Sequence, residues 1–130
     1  MNTTVSPAAA APGYFQAMAL SVPLLIGIQL FLAGLAIFSD SADWEWHRAF
    51  GGGIGLVILA MMVLAFTRPA LRFYRVSSSL LFGLYCMQFV WLGLGEALQS
   101  GALQALHPAN AILINIASLF VAEKTLGRRP

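Results

Sequence analysis

Four long apolar segments, separated by short polar connections, place the strongest constraint on what this chain can fold into. A helix needs roughly 20 mostly apolar residues to cross a bilayer. Three segments meet that length, and the fourth approaches it when its flanking residues are counted. The sequence therefore predicts an all-α, integral membrane protein that folds as a four-helix up-down bundle, because the connections are short. The predicted spans are about 14–38, 46–66, 76–95 and 107–123.

The composition supports a membrane protein and limits its partners. Of the 130 residues, 59% are hydrophobic and only 9% are charged, whereas charged residues make up about 25% of an ordinary soluble domain. The net charge of +2 comes from a few scattered residues, which excludes nucleic acid as a partner. We expect a disordered N-terminal tail at residues 1–13 and a basic C-terminal tail at residues 127–130.

The distribution of charged residues predicts the orientation in the membrane. Cytoplasmic loops of membrane proteins carry an excess of Lys and Arg. The second connection and the C-terminal end are basic here, whereas the first and third connections are mostly acidic. Both chain ends are therefore expected in the cytoplasm. The basic residues are Arg68, Arg72, Arg75, Lys124, Arg128 and Arg129, and the acidic residues are Asp40, Asp43, Glu45 and Glu96.

Capping residues predict how the helices begin. Asp40 or Ser41 can cap the second helix, which would place His47 about two turns inside that helix. Pro108 suits the first position of the fourth helix, where its missing N–H leaves no bond unmade. The third connection, residues 96–106, has three leucines among small and polar residues and predicts a short interfacial helix.

His47 and His107 are the most informative residues for function. Each lies near the start of a helix, the second or the fourth, and these two helices run parallel in an up-down bundle. Both imidazoles are therefore expected at the same, outer level of the membrane. Two neutral imidazoles at one depth can fill both axial positions of a b-type haem. The sequence predicts one haem b bound by these two residues and a role in electron transfer.

Neighbouring residues fit such a cofactor. Gly51 and Gly55 follow His47 on one helix face and leave clearance for a flat ring. Arg48 can pair with a haem propionate, and it can equally bind a lipid headgroup. On the fourth helix, the stripe of His107, Ala111, Ile114, Asn115 and Ser118 is expected to line the haem. The predicted cofactor-binding residues are His47, His107, Arg48, Gly51, Gly55, Asn110, Ala111 and Ile114.

The same residues allow simpler interpretations. Histidines near a membrane interface are often satisfied by water, and the glycines can serve helix packing alone. A zinc ion would need a third ligand, for which Asp43 or Glu45 is available.

Other functions follow from other features of the chain. The main alternative to a haem protein is an accessory or scaffold subunit that packs through its glycine-rich faces against a larger membrane complex. A small transporter component is a third hypothesis, with Pro23 in the first helix as its one hint. The sequence contains no nucleophile with a base, phosphate loop or paired carboxylates, so we do not expect an enzyme by itself. Besides the lipid bilayer, the candidate partners are a quinone, a membrane complex and a second copy of the chain.

Three stretches are distinctive: IQLFLAGLAIF at 28–38, WHRAFGGGIGLVILAMMVLAF at 46–66 and ALHPANAILI at 105–114. They resemble a bacterial family of small four-helix membrane proteins, domain of unknown function 6220, over most of the chain. The resemblance implies four spans and a bacterial inner membrane, and it marks His47, His107, Pro108 and Asn110 as motif positions without supplying an activity. The paired histidines also resemble those of four-helix cytochromes b. Those proteins usually hold two haems with four histidines, so this chain cannot form a relay of stacked haems.

Overall fold

The computed structural model describes residues 11–127, which form four long helices joined by short connections. Helices α1 and α3 each contact both α2 and α4, so the four helices close into a ring in which chain neighbours are antiparallel. The predicted all-α four-helix bundle is confirmed. Most of the predicted N-terminal tail, and Arg128 and Arg129, lie outside the described residues. The helices are α1 (Gly13–Phe38), α2 (Trp44–Thr67), α3 (Arg75–Ala97) and α4 (Gly101–Thr125).

The outer surface of the bundle is apolar along each helix. All four helices are long and apolar enough to cross a membrane. Large apolar side chains point away from the bundle, and Leu24, Val76 and Phe38 are 72%, 82% and 88% exposed. Water would disfavour so much apolar surface by roughly 25 cal/mol for each Å², whereas lipid does not. The chain is therefore an integral membrane protein whose helices contact the bilayer.

The core is tightly closed at the end of the bundle where α1 and α3 begin. The rings of Phe15 and Tyr74 lie 4.9 Å apart between their centroids. The Tyr74 hydroxyl donates a hydrogen bond to the carbonyl of Lys124 over 3.2 Å. Arg75 Nε donates to the carbonyl of Ala65 over 3.1 Å, near the end of α2. The bond from Arg75 satisfies a carbonyl that the end of α2 would otherwise leave without a donor. The bond from Tyr74 joins the residue before α3 to the end of α4.

The connection between α1 and α2 contains Asp40, which was predicted to cap α2. That prediction is wrong, because α2 begins at Trp44 without a side-chain cap, and His47 lies about one turn inside α2 rather than two. The side chain of Asp40 accepts a hydrogen bond of 2.9 Å from the backbone N–H of Ala42. It caps a short 3-10 turn, Ser41–Asp43, that leads directly into α2. This turn sets the first residues of α2 and therefore the depth at which His47 enters the bundle.

The connection between α3 and α4 differs from the prediction. Ser100 caps α4 by accepting a hydrogen bond from Leu103 N–H over 3.4 Å, and the helix begins at Gly101. Residues 101–106 are thus the first turns of α4, and the prediction of a separate interfacial helix is wrong. The prediction that Pro108 takes the first helical position is also wrong, because it lies inside α4. A membrane helix tolerates an internal proline when neighbouring helices support it, and α3 packs along α4.

Candidate functional site

His47 and His107 meet at the end of the bundle where α2 and α4 begin, which we call the histidine end. His47 lies about one turn into α2 and His107 about two turns into α4. Their ring centroids are 6.4 Å apart, and the ring planes are inclined by 58°. The angle excludes face-to-face stacking of the two imidazoles. The bundle thus brings together two side chains that are 60 positions apart in the sequence.

Both imidazoles are held by their Nδ1 atoms. His47 Nδ1 lies 3.2 Å from the carbonyl oxygen of Gln29 in α1, and His107 Nδ1 lies 3.2 Å from that of Gln88 in α3. A carbonyl oxygen can only accept, so each Nδ1 must carry the proton. In the neutral imidazole the lone pair is then on Nε2. This arrangement is typical of metal-bound histidines, whose second nitrogen is usually fixed by a carbonyl or carboxylate.

The separation of the rings matches the space that one metal ion needs. An imidazole nitrogen binds a metal at about 2.0 Å, and the ring centre lies about 1 Å behind it, so two imidazoles on opposite sides of one ion have centres about 6 Å apart. The observed 6.4 Å agrees with that value. A second metal ion between the two rings would need a longer separation. The distance between the two imidazoles therefore leaves room for a single ion.

An apolar cavity of about 450 Å³ adjoins the two histidines and is bounded by all four helices. Pockets for small molecules and cofactors have volumes of about 300–1,000 Å³ and mostly apolar walls. Six of the eight residues predicted to bind a cofactor line it: His47, Arg48, Gly51, His107, Ala111 and Ile114. The exposed side chain of Arg48 contributes the cationic group of the wall.

Gly55, predicted to line the site, lies instead beneath an aromatic side chain. A Cβ atom at Gly55 would overlap the phenol ring of Tyr85, so the glycine allows α3 to approach α2. Tyr85 also donates its hydroxyl to the carbonyl of Gly51 over 3.1 Å. Tyr85 itself lines the cavity. Gly55 therefore shapes the wall indirectly, by seating the ring of Tyr85.

Asn110, also predicted to line the site, joins two helices. Its Nδ2 donates to the carbonyl of Leu84 in α3 over 2.8 Å, and the residue is only 5% exposed. Asn115 and Ser118, the distal members of the predicted stripe on α4, are likewise not among the cavity-lining residues. The stripe therefore faces the cavity only over its first two turns, from His107 to Ile114.

A zinc site with a third protein ligand is not supported. Within residues 11–127, no group of three or more His, Cys, Asp or Glu side chains lies close enough to hold a metal ion. Asp43 and Glu45, which the sequence offered as third ligands, therefore do not join the histidines. The protein itself supplies two nitrogen ligands, and the remaining ligands of an ion here would have to come from a bound molecule.

Residues 29–94 match the model of a family described as Family of unknown function (DUF6220). The chain belongs to this family. No curated protein and no solved structure matches the chain. The DUF6220 match begins at Gln29, contains His47 and Gln88, and ends before His107. The resemblance seen in the sequence is thus confirmed for α2 and α3, whereas the HPAN stretch of α4 lies beyond the matched residues.

Three further residues that were not among the predicted site residues also line the cavity: Gln29, Gln88 and Tyr85. An internal repeat could have found the two glutamines. In the first hairpin of this DUF6220 chain His47 follows Gln29 by 18 positions, and in the second His107 follows Gln88 by 19. Each glutamine offers its backbone carbonyl to the histidine of its own hairpin. The two hairpins therefore provide corresponding halves of one site.

The repeat extends to buried positions and to the cavity walls. Ile54, Ile58, Met61 and Ala65 of α2 correspond to Ile114, Ser118, Val121 and Thr125 of α4, and all eight are buried. The cavity is lined by equivalent pairs, among them Gln29 and Gln88, Leu30 and Phe89, Ala33 and Leu92, Gly51 and Ala111, and Ile54 and Ile114. Because each hairpin crosses the bundle twice, the two halves are parallel repeats about an axis along the bundle. A ligand held by both histidines lies on that axis.

Proposed function

We propose that this protein binds one b-type haem between His47 and His107 and carries single electrons at the histidine end. The observation that supports it is the pair of imidazoles 6.4 Å apart, each anchored through Nδ1 to a backbone carbonyl. Neutral imidazoles held in this tautomer present Nε2 to iron. Two such ligands give the low-spin, six-coordinate iron of electron-transfer cytochromes.

A porphyrin suits the site better than a bare ion does. Its four pyrrole nitrogens supply the equatorial ligands that the described side chains lack. The cavity beside the histidines has a volume of about 450 Å³ and mostly apolar walls. Apolar walls suit a largely hydrophobic macrocycle. When bound, haem supplies a one-electron couple, and the chain supplies the axial nitrogens and a dry environment.

Arg48 is the residue that we assign to an anionic edge of the ligand. It lies next to His47 in the cavity wall, and its side chain is exposed toward the end of the bundle. Guanidinium matches a carboxylate in two-point geometry. A propionate paired with Arg48 would orient the macrocycle toward the histidine end. By the distribution of basic residues that end faces outward, and a membrane quinone is the partner we propose there.

The test is a reduced-minus-oxidised visible spectrum of the detergent-purified protein, expressed with ample haem supply. We expect sharp low-spin bands at about one haem per chain. His47→Ala and His107→Ala should each abolish the low-spin spectrum, because each removes one axial nitrogen. Gln16→Ala, at the opposite end of α1, is the control and should leave the spectrum unchanged.

Two results would refute the proposal. One is a wild-type protein without haem absorbance, and the other is an unchanged low-spin spectrum in both histidine variants. A colourless protein that co-purifies with other membrane proteins would instead support the accessory-subunit hypothesis. Gly52 and Gly53 on the exposed side of α2, where an added Cβ meets nothing within 4 Å, would then be the first surface to examine.

A further inference from the structure

The two halves of the site hold their histidines unequally, and we infer that His107 is the exchangeable ligand. Its release opens one coordination position to a small neutral molecule such as carbon monoxide, while His47 keeps the iron. This inference rests on the proposed haem site. It adds the binding of small diatomic ligands to a role in electron transfer.

His47 is held at three points. Its Nδ1 donates to the carbonyl of Gln29 over 3.2 Å, and the side-chain Nε2 of Gln29 donates back to the carbonyl of His47 over 2.8 Å. Trp44, one turn earlier in α2, meets the His47 ring in an edge arrangement with centroids 5.2 Å apart. A rotation of the imidazole away from its position would disturb the first and third of these contacts. A shift of its backbone would break the second.

The return bond from Gln29 depends on the absence of a side chain at position 51. A Cβ atom on Gly51 would lie 2.8 Å from Nε2 of Gln29, which is too close for a nonbonded contact. Gly51 thus provides the space in which the amide crosses from α1 to the His47 carbonyl. The equivalent position in the second hairpin is Ala111.

His107 is held at fewer points. Its Nδ1 donates to the carbonyl of Gln88 over 3.2 Å, but no hydrogen bond returns from the Gln88 side chain to His107 anywhere in the described part of the chain. The Oε1 atoms of Gln29 and Gln88 are both buried without a partner, so these atoms do not distinguish the two half-sites. The position equivalent to Trp44 is Gln104, so the aromatic contact is missing too.

The helix is also weaker at His107 than at His47. Pro108 follows it directly inside α4 and has no N–H, so the carbonyl of Gln104 lacks its usual helical donor. The corresponding residue of the first hairpin, Arg48, has a normal backbone N–H. A helix that lacks one hydrogen bond beside its ligand allows that ligand to swing away at a lower cost. These three differences between the half-sites, in the return bond, the aromatic contact and the helix hydrogen bond, all favour release of His107.

Carbon monoxide binding to the reduced protein tests the inference. In wild-type protein the binding rate should reach a ceiling at high carbon monoxide concentration, because dissociation of His107 becomes limiting. In His107→Ala the rate should rise linearly with concentration, and haem should stay at about one per chain as a five-coordinate, high-spin form. His47→Ala should lose most of its haem, because only the weakly held ligand remains.

Two glutamines of α1 provide a matched pair of variants. In the His107→Ala background, Gln29→Leu removes the bond to the carbonyl of His47, the remaining ligand, so haem affinity should fall by about 3- to 18-fold, the equilibrium effect of one interhelical hydrogen bond. In the same background, Gln16→Leu removes the 3.4 Å bond from its Nε2 to the carbonyl of Thr125, at the opposite end of α1, and should leave haem affinity unchanged. Gly51→Ala displaces the Gln29 amide and should reproduce Gln29→Leu if that variant folds poorly.

The outcomes separate this inference from the proposed function. A wild-type protein without haem refutes the proposed function itself. A wild-type protein that holds low-spin haem but binds no carbon monoxide refutes only the exchange of His107. Equal haem retention in the two histidine variants also refutes it, because it would show that the half-sites hold their ligands alike. Equal effects of Gln29→Leu and Gln16→Leu refute it too, because the bond from Gln29 would then add nothing to the hold on His47.

Discussion

Gly55→Ala should destabilise the bundle because Gly55 seats the ring of Tyr85. A Cβ atom at position 55 would overlap the phenol ring, which belongs to a rigid side chain and cannot yield at its far end. Overpacking of this kind costs about 1–3 kcal/mol. Displacement of the ring also breaks the hydroxyl bond to the carbonyl of Gly51, worth about 0.6 kcal/mol in a membrane helix bundle. The better helix propensity of alanine offsets about 1 kcal/mol of this cost.

Together these contributions predict that Gly55→Ala lowers the free energy of unfolding by about 0.6–2.6 kcal/mol. The sign should reverse when the ring is absent. In a Tyr85→Ala background the overlap and the hydroxyl bond are both gone, so Gly55→Ala should raise the free energy of unfolding by up to about 1 kcal/mol. A double-mutant cycle isolates this coupling between contacting residues.

The assay is reversible unfolding in mixed detergent micelles, followed by circular dichroism as the fraction of denaturing detergent rises. Gly53→Ala is the matched control, since it makes the same chemical change two residues away, where an added Cβ meets nothing within 4 Å. It should be neutral or stabilising. If Gly55→Ala behaves like Gly53→Ala in the wild-type background, the seat for Tyr85 does not limit packing and the reasoning is wrong.

Two further changes test other contacts by the same titration. Gln99 has a φ of +50° in the turn between α3 and α4. The left-handed conformation costs a non-glycine residue about 1–2 kcal/mol, and glycine avoids this cost. Glycine loses about 1 kcal/mol more chain entropy on folding, so Gln99→Gly should stabilise the fold by roughly 0.5 kcal/mol. Any loss of stability would contradict this. Asn110→Leu removes the 2.8 Å bond to the carbonyl of Leu84 and should destabilise by about 0.6–1.7 kcal/mol. Its haem content should not change, because Asn110 does not line the cavity, and a large loss of haem would show otherwise.

Local patterns predicted the four helices and the meeting of the histidines. The length of each apolar segment and the shortness of each connection can be read from contiguous residues. These two features therefore predicted the four-helix bundle and the parallel direction of α2 and α4. That course places His47 and His107 at one end. Local sequence also indicated that Asp40 is a capping residue, but its side chain accepts from a backbone N–H two residues away and caps the turn before α2 instead of α2 itself.

The start of α4 shows where a local rule was insufficient. Proline fits the first turn of any helix, and the good helix formers at residues 102–106 could equally belong to a separate short helix before Pro108. In the structure Ser100 caps the helix earlier, and the adjoining α3 supports the turns that contain Pro108. The bilayer and the neighbouring helix outweigh the missing hydrogen bond.

The sequence alone determined the class of the protein, its four helices and the pairing of two histidines at one level. Tertiary structure decided how each helix is rotated about its own axis, because rotation depends on which side chains fit between neighbours. That rotation gave Gln29 and Gln88 their carbonyl contacts with the imidazoles, turned Asn110 toward α3 and placed Tyr85 over Gly55. It also made the two half-sites unequal, since the side chain of Gln29 reaches the carbonyl of His47 in the space left by Gly51.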